Sequence, residues 1–139
     1  MSARMTVLAS LTLPGHPRSV RYARAFIRDT LVPAHVLDGG DVLDDLTLIV
    51  DEFAGNAIRH TASGRGGKLT IALLRGADLV RVEVTDDGAD GKRPRLRPAP
   101  EGESGRGLHI VQALTAAWGH RADGPRTIVW ADVPLAAER

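Results

Sequence analysis

The sequence predicts an α+β fold, a two-layer α/β sandwich in which a mixed, mostly antiparallel sheet carries its helices on one face. The order of periodic segments is β-α-α-β-β-loop-α-β, with room for one more short strand before the last. The 139 residues suit one domain and are too few for two ordinary ones, so residues 1–139 are expected to form a single unit. Hydrophobic residues make up 43% but aromatics only 4%, so the core has to be aliphatic. Alternating strands and amphipathic helices bury such side chains most simply as helices on a sheet.

Val7, Ala9, Leu11 and Leu13 recur at period two, as a half-buried strand requires, while Leu8 falls on the other face with Thr6, Ser10 and Thr12. Pro14-Gly15 breaks that strand, and Pro17 suits the first turn of a helix, where its missing N–H costs nothing. Val20, Ala23, Ile27 and Leu31 line one side of this helix; Arg18, Arg21, Arg24 and Arg28 take the other, and Pro33 ends it. Asp38-Gly39-Gly40 is a turn with Asp41 as a suitable N-cap. The next helix should run to about Thr61, burying Leu46, Ile49, Val50, Phe53 and Ala57. A turn at residues 63–67 leads into a hairpin, in which Leu69, Ile71 and Leu73 alternate, then Val80, Val82 and Val84. Periodicity stops between Asp86 and Gly107, where Pro94, Pro98, Pro100, Lys92, Arg93, Arg95 and Arg97 fall. A helix resumes with Leu108, Val111, Leu114 and Ala117 on one face and Gly119 as its C-terminal cap. Thr127 to Val133 is a final strand, closed by Pro134.

Composition excludes several functions. There is no cysteine, hence no disulfide framework, thiolate metal site or cysteine nucleophile, and a reducing cytoplasm is the compartment that fits. The net charge of +1 gives no overall field toward nucleic acid or an anionic membrane. No apolar stretch approaches the ~20 residues of a spanning helix. Five scattered histidines without paired carboxylates make a poor metal site.

Four segments carry chemistry. Glu52 and Asn56 share a helix face, with Arg59 and His60 one turn later. A carboxylate, an amide, a guanidinium and an imidazole in one row suit a metal and its phosphates, or form an ordinary solvated face. Gly55, inside the same helix, costs roughly 1 kcal/mol relative to alanine, so either another backbone or a ligand approaches closely there, or a packed sheet strand needs the room. Asp86-Asp87-Gly88 ends a strand; it is either a simple turn or an acceptor aimed at an exocyclic amine. Gly105-Arg106-Gly107 opens a helix, whose free N–H groups bind phosphate when the glycines are more than a tight turn. The intervening stretch is long enough for a lid, at residues 89–104, or for a solvated excursion.

In this order the segments resemble the Bergerat-fold ATPases, the GHKL superfamily of gyrase, the ninety-kilodalton heat-shock chaperone, histidine kinases and MutL. Asp51-Glu52-Phe53-Ala54-Gly55-Asn56-Ala57-Ile58-Arg59-His60-Thr61 resembles the N box, Asp86-Asp87-Gly88-Ala89-Asp90 the G1 box and Gly105-Arg106-Gly107-Leu108 the G2 box. The wording Asn-Ala-Ile-Arg-His-Thr and Gly-Arg-Gly-Leu-His-Ile-Val is closest to the anti-sigma regulatory serine/threonine-protein kinases. The resemblance spans essentially the whole chain and implies the Bergerat ATP-binding fold. Asp90 departs from the pattern, standing where the G1 box has its second glycine.

The resemblance implies ATP and Mg²⁺ as cofactors. Asn56 would coordinate Mg²⁺, Glu52 would be the catalytic base, and Arg59 would reach a phosphate. Asp86 would accept from the adenine amine, with Gly88 lining the pocket and Thr127 as a second contact. Gly105, Arg106, Gly107 and Leu108 would hold phosphates. A regulator of this kind phosphorylates an anti-anti-sigma (STAS-domain) partner and sequesters a sigma factor; it is cytoplasmic, needs no nucleic acid or membrane, and is compatible with a homodimer. Asp90 motivates the alternative, a non-catalytic nucleotide-binding or protein-interaction module.

Overall fold

A computed structural model describes residues 4–33, 41–88 and 103–135, except for the side chains of residues 103–108. The expected turn at Asp38–Gly40, Ala89, Asp90 and most of the expected lid lie outside the described residues. The element order is β1 (Thr6–Pro14), α1 (Ser19–Leu31), α2 (Asp41–His60), a 3-10 turn (Ala62–Gly64), β2 (Lys68–Arg75), β3 (Leu79–Asp86), α3 (Glu103–Leu114), β4 (Ala117–Asp123) and β5 (Arg126–Pro134).

The five strands form one sheet in the order β1-β2-β3-β5-β4. All four pairings are antiparallel, where the sequence left room for a mixed sheet. The expected alternation buries Leu69, Ile71, Leu73, Val80, Val82, Val84, Val129, Ala131 and Val133 against the helices. Ala23, Ile27 and Leu31 of α1 and Leu46, Ile49, Val50, Phe53 and Ala57 of α2 meet them from above. Helix α2 lies over β3 and β5 and touches α1 and α3 on its flanks. Among the described residues no helix is long and apolar enough to cross a membrane.

The structure departs from the sequence reading in several places. In β1 a bulge lies between Val7 and Ala9. It adds one residue to the strand and shifts the alternation, so Val7 is 61% exposed while Leu8 packs against the core. Helix α1 starts at Ser19, with Pro17 in the preceding turn, because the buried Ser19 hydroxyl donates to the Pro14 carbonyl at 2.6 Å. Asp41 is the first helical residue of α2 rather than its N-cap.

Helix α3 ends at Leu114, so Ala117 and Gly119 belong to a strand and Gly119 is not a helix cap. The Ala116 N–H donates to the Asp132 carbonyl at 2.8 Å, which begins the pairing of β4 with β5. Gly119 faces Trp130, whose ring would lie 3.1 Å from an added Cβ. Trp130 in turn stacks under the Arg81 guanidinium, 4.2 Å from its centroid. Arg81 also grips Asp132 through two hydrogen bonds of 2.7 and 3.0 Å. The open face of the sheet is therefore polar and self-paired, as a face without helices requires.

Candidate functional site

The site is built where the end of β3, the start of β5 and the helix above them converge. Asp86 is the last residue of β3 and falls on its buried face, in phase with Val80, Val82 and Val84. Its partner across the ladder is Thr127 of β5. Both side chains are nearly closed to solvent, at 5% and 4% exposure. The pair is thus a buried carboxylate beside a buried hydroxyl, under the helix that carries Glu52 and Asn56. The turn after β3 orients the carboxylate, because the Gly88 N–H donates to Asp86 Oδ1 at 2.7 Å. Burial pushes the Asp86 carboxyl above the usual carboxylate range; the Gly88 N–H partly opposes this and the Asp87 charge adds to it.

Gly88 has φ +85°, in the left-handed region, and an added Cβ would run into the Pro125 carbonyl. The glycine is therefore required by the fold itself. Gly88→Ala is expected to lower the stability of the nucleotide-free protein by at least about 1 kcal/mol. A melting temperature equal to wild type would show that the backbone tolerates the side chain.

On α2, Glu52 and Asn56 are half-buried, while Arg59 and His60 are exposed. Arg59 Nη2 donates to Asn56 Oδ1 at 2.9 Å. Gly55 makes room for this: a Cβ there would sit 3.0 Å from Arg59 Nη1. The neighbour of the helix glycine is thus a side chain of its own helix, where the sequence suggested another backbone, a ligand or a packed sheet strand. The amide oxygen that would face a metal is engaged by Arg59, so a cation at Asn56 requires the guanidinium to turn away. Among the described residues no group of three or more His, Cys, Asp or Glu could hold a metal ion. A Mg²⁺ here would therefore rest on the amide, on ligand phosphates and on the waters this ion retains.

Helix α3 begins at Glu103, two residues before Gly105. Of the stretch Gly105–Leu108, only Gly105 falls among the first amides that lack a partner within the helix, and Arg106, Gly107 and Leu108 lie further in. The expected helix opening is thus displaced toward the N-terminus.

One residue was not singled out by sequence reasoning. Ser63 is fully buried, and its hydroxyl accepts the Asp87 N–H at 2.9 Å and donates to the Lys68 carbonyl at 2.7 Å. Asp87 Oδ2 accepts the Lys68 N–H at 2.9 Å. A serine in a Gly-rich turn carries no local signal for such a role. A shallow groove of about 140 Å³ lined by Thr12, Lys68, Thr70, Thr85, Asp87 and Arg126 lies on the open face of the sheet, opposite Asp86 and Thr127.

The chain matches the family model described as histidine kinase-like ATPase domain over residues 13–132. No curated protein matches it. It is similar to the crystal structure of the RsbU and RsbW domains of Rv1364c from Mycobacterium tuberculosis, with a TM-score of 0.63 and 22% identity. That likeness covers 91% of this chain and 32% of the other, and it bears on the fold.

Proposed function

The chain belongs to the histidine kinase-like ATPase domain family, and from that premise we propose that it binds ATP with Mg²⁺ and acts as an anti-sigma factor-type serine/threonine-protein kinase. Its substrate is a serine or threonine of an anti-anti-sigma (STAS-domain) protein, and a sigma factor is its second partner. The single observation that carries the nucleotide reading is the register that sets Asp86 beside Thr127. A buried acceptor next to a buried hydroxyl suits the amine edge of adenine, which can satisfy both.

The chain's own residues divide the work. Asp86 accepts from the exocyclic amine, and Thr127 supplies a second hydrogen bond on the same edge. Asn56 would hold the cation through its Oδ1, with Arg59 released from that oxygen to meet a phosphate. Gly105, at the open end of α3, donates its N–H to phosphate, with Arg106, Gly107 and Leu108 framing that end. Mg²⁺, when bound, neutralises phosphate charge. Glu52 orients the partner's hydroxyl and takes its proton as the oxygen bonds to the γ-phosphorus and the bond to the ADP oxygen breaks.

Isothermal titration with ATP and Mg²⁺ tests the first half, with saturable binding at one site expected. Absence of heat at millimolar ATP would remove the kinase reading. Phosphate transfer from ATP to an anti-anti-sigma (STAS-domain) protein tests the second half. Binding without transfer would favour a nucleotide-dependent contact module.

A further inference from the structure

We propose that Ser63 is a positioning residue for base recognition, locking the Asp86–Gly88 turn onto the end of the Asn56 helix. This rests on the nucleotide reading above and adds to it a residue outside the three motif boxes.

The junction is made of consecutive hydrogen bonds. After α2 ends at His60, the Thr61 hydroxyl donates back to the Ala57 carbonyl at 2.6 Å and accepts the Ser63 N–H at 3.1 Å. The next two residues reach across to the strand end. The Ala62 N–H donates to the Gly88 carbonyl at 2.8 Å, and the Ser63 hydroxyl accepts the Asp87 N–H at 2.9 Å. The same hydroxyl donates to the Lys68 carbonyl, and the Lys68 N–H returns to Asp87 Oδ2. Ser63 thus joins three segments through one fully buried oxygen.

The chemistry of the turn gives this junction its consequence. Asp86 can discriminate bases only if its carboxylate points in one direction. That direction is set by the Gly88 N–H, and Gly88 is set by Ala62 on one side and by the Ser63–Asp87 bond on the other. Without the Ser63 hydroxyl the Asp87 N–H loses its buried acceptor, the turn seeks another conformation, and the carboxylate swings with it. Asn56 and the start of α3, at the proposed phosphate end, take no part in these bonds. Loss of Ser63 therefore acts on the choice of base more than on triphosphate binding.

The test compares Mg²⁺-ATP and Mg²⁺-GTP affinities of wild type, Ser63→Ala and Ser63→Thr by isothermal titration. Ser63→Ala is expected to weaken ATP about tenfold and GTP hardly at all, shrinking the preference for adenine. Ser63→Thr, which restores the hydroxyl, is expected to recover it. A purely structural serine would lower the melting temperature and leave the ATP-to-GTP ratio at its wild-type value, which overturns the proposal. Should Ser63→Ala fail to fold, Asp87→Ala loosens the same turn from its partly exposed side by removing the Lys68 N–H acceptor. It is expected to shrink the ratio several-fold, and an unchanged ratio would again overturn the proposal. Wild-type protein that binds neither nucleotide removes the nucleotide reading and this inference together. Wild type that prefers ATP, with variants that keep that preference, removes this inference alone.

Discussion

Asn56→Ala is expected to abolish Mg²⁺-ATP binding, by at least about a hundredfold, in a protein whose melting temperature stays near wild type. The two halves of this expectation have separate causes. Asn56 lies off the stripe that α2 buries, which consists of Leu43, Leu46, Ile49, Val50, Phe53, Ala54 and Ala57. Its side chain accepts one hydrogen bond, from the exposed Arg59, and such a bond contributes little net stability. Alanine is also the better helix former. The fold therefore loses almost nothing. The proposed cation loses its Asn56 ligand, and second-sphere changes alone cost about 10–100-fold at metal sites. Isothermal titration beside a thermal melt reads both halves. Wild-type affinity in the variant would refute the site, and a large fall in melting temperature would show that Asn56 is a structural residue.

The parts of this molecule legible in its sequence are those governed by local periodicity. The stripe of α2 and the hairpin of β2 and β3 follow from spacing alone, and burial matches that spacing closely. Strand β4 was legible only as room for a short strand. Ala117–Asp123 holds no β-branched residue and, as an edge strand, is largely exposed. Its conformation comes from pairing with β5, a tertiary cause that outweighs propensity. The bulge in β1 is of the same kind. Val7 and Leu8 are adjacent aliphatics with equal claim to the core, and only the partner strand decides which turns inward. At the site, Asp86 and Thr127 could be named from motif resemblance, but their facing register depends on how β5 inserts between β3 and β4. The Ser63 junction was invisible because its partners, Lys68 and Asp87, come from different strand ends.

Asp86→Asn is expected to abolish adenine-nucleotide binding while leaving the nucleotide-free protein as stable as wild type or more so. In the folded state burial raises the Asp86 pKa above the ordinary 3.8. A carboxyl whose folded pKa is raised holds its proton more tightly folded than unfolded. Its contribution is therefore most favourable at low pH and is lost as pH rises from the unfolded value through the folded one. At neutral pH the ionised carboxylate is a standing cost to the fold, and a neutral amide of the same shape removes it. In the proposed function the charge does something that the amide cannot. The asparagine carbonyl would be taken by the Gly88 N–H, as Asp86 Oδ1 is now. The remaining position would then carry an NH₂ group, setting donor against donor at the adenine amine. A buried mismatch of that kind costs at least about a hundredfold in affinity. The pH dependence separates this from simple misfolding. Wild type should gain stability relative to Asp86→Asn as pH falls toward 3.8, while only wild type binds ATP at neutral pH. A variant that keeps wild-type affinity would show that the adenine amine is read elsewhere. A variant that is less stable at neutral pH would show that the carboxylate is there to hold the turn.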